Sequence, residues 1–81
     1  MRVTVLLFAR PREMVGMSRL ELDIEESSSP SSVFHRLCAI APALENLREG
    51  LRCAIDQEYA CWDDRLGEGS ELAFISPTAG G

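Results

Sequence analysis

Few groups in this chain could do chemistry, and most of them have a simpler structural explanation. Asp63-Asp64, with Glu68 and Glu71 following, has the look of a metal or acid/base cluster. Turn chemistry in a charged, glycine-bearing loop accounts for those residues more economically. His35 falls on the polar side of a helical pattern, opposite Val33 and Leu37, the usual setting of a solvated surface histidine. Cys38, Cys53 and Cys61 form an odd set without C-x-x-C spacing and read as reduced, partly buried thiols. Walker loop, dinucleotide fingerprint and zinc-ligand spacing are all missing from the sequence. What is left is the end of the chain.

Pro77, Thr78, Ala79, Gly80 and Gly81 follow the last apolar run and read as a flexible arm whose final group is the Gly81 carboxylate. Glycine has no Cβ, so a Gly-Gly end can pass through a narrow channel. Fully extended, five residues reach roughly 17 Å, far enough to enter a partner's active site while the folded body stays outside. An α-carboxylate with a pKa of about 3.5 is ionised at neutral pH and is a poor electrophile. Using it requires activation, for example as an acyl-adenylate, and the chain shows no nucleotide site of its own. A separate activating enzyme is therefore implied. The activated carbonyl could then accept sulfur, giving a thiocarboxylate, or an amine, giving an amide.

The elements that must present this arm are legible as patterns. Arg2 to Ala9 is β-branched and apolar and reads as a central strand; Arg10 to Gly16 reads as one short helical turn with Pro11 early and Gly16 as its stop. Strict alternation from Arg19 to Glu25 predicts a half-buried strand, paired with the first as a hairpin and carrying Leu20, Leu22 and Ile24 on one face. Ser29 and Pro30 read as the N-cap and first position of a helix whose stripe is Val33, Leu37 and Ile40, widened by Phe34, Cys38 and Ala41. Pro42 ends it, and Ala43 to Glu49 reads as a weaker turn closed by Gly50. Arg52 to Asp56 and Tyr59 to Trp62 are short strand candidates around a Gln57-Glu58 turn. Gly67 and Gly69 are expected to supply positive φ angles in the loop before the last strand, Glu71 to Ser76.

One amphipathic helix cannot cover both faces of a sheet of four or five strands. The expected fold is therefore α+β, a ubiquitin-like β-grasp with a mixed sheet, one main helix packed on one face, and the other face turned to water or a partner. Residues 1–76 form the domain and 77–81 the arm. In the first strand Val3, Val5 and Leu7 point one way, while Thr4, Leu6 and Phe8 point the other, and Thr4 marks the wetter set. If Ile75 joins Leu6 and Phe8, an apolar patch lies beside the base of the arm. Parity alone leaves open which set of the last strand faces outward.

Composition narrows the partners. A single 81-residue domain buries only about 60–65% of its unfolded surface and has little room for a deep pocket, which argues against a self-contained enzyme. The net charge of −5 disfavours nucleic acid and anionic membrane and suits a basic protein surface. All eight basic residues are arginine, so no side-chain amine is present through which the chain could itself be tagged. With no secretory signal, and with Val3 to Ala9 too short to span a membrane, the expected location is the cytoplasm.

The stretch from Gly69 through Glu71-Leu72-Ala73-Phe74-Ile75 to Gly80-Gly81 resembles the end of molybdopterin synthase small subunits, the MoaD family. Val5-Leu6-Leu7-Phe8-Ala9, Arg12-Glu13-Met14-Val15-Gly16 and Ala54-Ile55-Asp56-Gln57-Glu58-Tyr59 are similar to the family's first strand, its turn and its middle segment. Ser70 replaces a usual acidic residue, and Ser76 the first of two prolines; neither change touches Gly80-Gly81. The resemblance implies a sulfur carrier that binds no cofactor or metal itself. Gly81 would be adenylated by a MoeB-type adenylyltransferase using ATP and magnesium, then converted to a thiocarboxylate by a sulfur donor. The arm would enter a MoaE-type large subunit, as part of a heterotetramer, and pass sulfur to cyclic pyranopterin monophosphate. Phe8 and Ile75 fall where apolar partner contacts are expected. Two rivals stand beside this reading: a thiamine-pathway sulfur carrier, and a ubiquitin-like modifier that forms isopeptide bonds with target lysines.

Overall fold

A computed structural model describes residues 1–76; the arm residues Pro77, Thr78, Ala79, Gly80 and Gly81 lie outside the described residues. The elements are β1 (Arg2–Leu7), α1 (Ala9–Val15), β2 (Arg19–Asp23), α2 (Pro30–Ile40), a 3₁₀ helix (Pro42–Gly50), β3 (Arg52–Ile55), β4 (Glu58–Ala60) and β5 (Glu71–Ile75). They form one five-stranded sheet in the order β2-β1-β5-β3-β4. β1 and β5 run parallel at its centre, and every other pairing is antiparallel. The sheet is mixed and has one main helix on one face, the expected ubiquitin-like β-grasp.

Strand parity decides what each face becomes. Val3, Val5 and Leu7 of β1 and Leu72 and Phe74 of β5 are at most 1% exposed, packed with Val33, Phe34 and Leu37 of α2. Burying aliphatic and aromatic side chains of this size contributes about 1.5–3 kcal/mol each, so this layer is the main source of stability. Trp62, Phe34 and Phe74 close one end of the core, with ring centroids 5.4–5.5 Å apart and Arg48 lying 3.5 Å over the Trp62 ring.

The helix starts where its serines dictate. Ser29 Oγ accepts from Ser32 N–H, and Ser32 Oγ is hydrogen-bonded to Ser29 N–H in return, with Pro30 at the first helical position. A serine thus fills the capping-box place usually held by Glu or Gln, and such a cap contributes about 1 kcal/mol. Gly16, at φ 87°, ends α1 in the left-handed conformation by donating its N–H to the Arg12 carbonyl at 2.8 Å.

Four local expectations need correction. The β3–β4 turn is Asp56-Gln57, both at positive φ, one residue earlier than Gln57-Glu58; Asp56 Oδ1 also accepts from Glu71 N–H at 2.9 Å. Strand β4 ends at Ala60, and Trp62 leaves it to join the aromatic cluster. Gly69 has a positive φ of 77°, but Gly67 does not; Gly67 instead donates its N–H to Ser70 Oγ at 2.9 Å. Finally, Ile40 is 57% exposed at the last helical position, while Cys38 and Ala41 pack against the core in its place.

Candidate docking face at the base of the C-terminal segment

The face of the sheet opposite α2 carries the alternate residues of the same strands. Cross-strand pairing runs Leu6 to Ala73, Ala73 to Ala54, and Ala54 to Tyr59, so one apolar row crosses β1, β5, β3 and β4. Phe8 follows Leu6 by two residues with extended backbone, φ −129° and ψ 158°, so it continues the outward parity of β1. Ala9 then turns the chain into α1 at φ 50°. Ile75 lies two residues beyond Ala73 at the end of β5. Leu6, Phe8, Ala54, Tyr59, Ala73 and Ile75 line a shallow groove of about 430 Å³, whose polar lining is Gln57 and Glu71. Phe8 is 48% exposed and Tyr59 67%, while Leu6 and Ile75 are half-buried.

The outward grouping of Leu6, Phe8 and Ile75 is therefore the arrangement that parity left open. Tyr59 was missed by the sequence reading because it sits on a three-residue strand, too short for alternation to mark a face. Ser76, the last described residue, follows Ile75 directly, so the groove lies at the base of residues 77–81. Gly81, Gly80 and the other arm residues lie outside the described residues.

The remaining candidates fall into structural roles. Asp64 Oδ2 accepts from Cys61 N–H at 2.9 Å, and Glu68 accepts from Arg2 N–H at 3.3 Å, so the acidic loop serves turn and strand ends. His35 is exposed on α2. Cys53 is buried and its Sγ donates to the Ala60 carbonyl; burial pushes its thiol above the ordinary range. Burial likewise raises Cys38, beside Glu45. Raised thiols are poor nucleophiles at neutral pH. Ser70, which stands where the resembled family has an acid, is buried and satisfied by Gly67 N–H. A wide, open hollow beside the start of α2 is larger than the groove, but its Ser29 and Ser32 hydroxyls are already engaged in the helix cap.

The charges on the outward face also divide. Arg2 at one end pairs with Asp23 at 3.1 Å and Glu21 at 3.7 Å, and its hydrogen bond holds the Asp23 carboxyl below the usual range. Arg19 on β2 and Arg52 on β3 are exposed and pair with no carboxylate among the described residues.

The ThiS family profile matches residues 5–81, nearly the whole sequence. The chain belongs to the ThiS family. Curated relatives between 30% and 36% identical carry the name molybdopterin synthase sulfur carrier subunit. The one from Chlamydomonas reinhardtii is 30% identical over 83 aligned positions that span all of both chains. Among solved structures, this ThiS-family chain is similar to small archaeal modifier protein SAMP1 from Haloferax volcanii, at TM-score 0.83 and 23% identity over all of both chains. It is also similar to a chain from the complex of subunits 1 and 2 of the molybdopterin-converting factor of Helicobacter pylori, at TM-score 0.66 and 13% identity over all of both chains. The structural likenesses bear on the fold, while the full-length sequence relatives place the chain in the family.

Proposed function

We propose that this ThiS-family chain is the sulfur carrier subunit of a molybdopterin synthase. The observation that carries the reading is the placement of the apolar groove of Leu6, Phe8, Tyr59, Ala73 and Ile75 beside Ser76, where the chain leaves for Gly80-Gly81. Five fully extended residues span roughly 17 Å, so a reaction centre on a partner seated on that groove would be reachable from Ser76 if it lay within that distance. The curated relatives' shared name supports sulfur as the cargo. A MoeB-type enzyme would join the Gly81 carboxylate to AMP with release of pyrophosphate from ATP. A sulfur donor then displaces AMP and leaves the thiocarboxylate. Within a MoaE-type large subunit the sulfur would pass to cyclic pyranopterin monophosphate, with water supplying the oxygen that returns the carrier as carboxylate. Pterin binding and catalysis belong to the large subunit, in keeping with the small, shallow groove here. Two small and two large subunits would make up the assembly, in the cytoplasm.

The test is a single-turnover reaction of the thiocarboxylated chain with an active large subunit and cyclic pyranopterin monophosphate. Formation of molybdopterin, lost on deletion of Gly81 while the melting temperature holds, is the expected outcome. Transfer retained without Gly81 would overturn the mechanism. An intact thiocarboxylate and no product would move the assignment to thiamine biosynthesis or protein modification.

A further inference from the structure

The net charge of −5 by itself favours a basic partner, but the charges beside Leu6 and Ile75, at the Ser76 end of the groove, are arginines. Arg19 is cross-strand neighbour to Leu6, and Arg52 to Ile75, so the two arginines flank the apolar row from β2 and β3. The Arg52 guanidinium lies 6.0 Å from the Tyr59 ring centroid, which sets it against the groove wall. Three strand spacings separate β2 from β3, so the two backbones stand about 14 Å apart. The far end of the same face is different: there Arg2 is neutralised by Asp23 and Glu21.

From this asymmetry we propose that Arg19 and Arg52 determine how the groove is docked, by pairing with two carboxylates that flank an apolar ridge on the large subunit. This rests on the synthase reading above and adds the chemistry of the partner's contact surface. Guanidinium groups suit the role, because a fixed fork of donors reads carboxylate geometry. With Glu71 at the other end of the groove, a partner ordered from acidic to basic fits in one direction only.

The test measures binding of the full chain to the large subunit at low and moderate salt, for wild type, Arg19→Glu/Arg52→Glu and the remote loop reversal Arg65→Glu. Exposed rim pairs have modest individual effects, so the double reversal should weaken binding about tenfold, more at low salt, with unchanged melting. Arg65→Glu should stay within about twofold of wild type. Undiminished binding by the double variant would overturn the inference, as would an equal loss with Arg65→Glu. If the wild-type chain forms no complex at all, the synthase reading itself falls, and this inference with it.

Discussion

Leu6 and Leu7 are neighbours in β1 with the same side-chain chemistry, yet Leu7 is 1% exposed in the core beneath α2 and Leu6, half-buried, lines the outward groove. The same contrast repeats along β5, where Leu72 and Phe74 fill the core while Ala73 and Ile75 face outward. Burial in the monomer accounts for every inner residue. The row outside is less completely covered: Ala54 is buried, but Phe8 and Tyr59 stand about half to two-thirds exposed, and a contiguous apolar patch of that kind commonly marks an interaction surface. Adjacent positions thus separate the residues that form the core from those that line the outward groove.

Truncating the two leucines should break that comparison open. Leu7→Ala should cost about 2–5 kcal/mol, because it removes buried contacts and leaves a cavity. Much of the stability of a domain this size would go with it, since such domains hold only about 5–15 kcal/mol in total. Leu6→Ala should cost less than about 1 kcal/mol and act on partner binding instead. Urea melts of both variants check this, and equal losses would mean that the outer row is part of the folding core.

A smaller effect sharpens the contrast within the outer face, between the paired end and the free arginines. Arg2 depresses the Asp23 carboxyl, so the pair's stabilisation is present above the ordinary carboxylate pKa of about 4 and lost as pH falls through the depressed folded value. Asp23→Asn should therefore lower the melting temperature slightly at neutral pH, with the gap closing in acid. A gap that persists in acid would show that Asp23 acts through packing or hydrogen bonding alone. Both partners are solvent-exposed, so the shift should be the smallest of the set.

Most of the elements were legible because short-range chemistry writes them. Ser29-Pro30 marked the start of α2, Gly16 the end of α1, and alternation marked β2. The outward set of β1 was legible for the same reason, since Thr4 betrayed the wetter parity. The parallel β1–β5 pairing is a contact between chain ends, and no local pattern specifies it. The β3–β4 turn was misplaced because two non-glycine residues, Asp56 and Gln57, adopt positive φ there without the glycine that usually signals it. Pro42 was read as a stop, yet its fixed φ also suits the first position of the 3₁₀ helix that follows.

The most direct measurement is the affinity of Phe8→Ala for the large subunit, alongside its melting temperature. Phe8 is the aromatic side chain of the groove nearest the base of the C-terminal segment, and it is about half exposed in the monomer. Binding should weaken about tenfold or more, as for an aromatic anchor at an interface, with melting almost unchanged. Undiminished affinity, or a loss that merely follows destabilisation, would contradict the claim that this face exists to dock a partner.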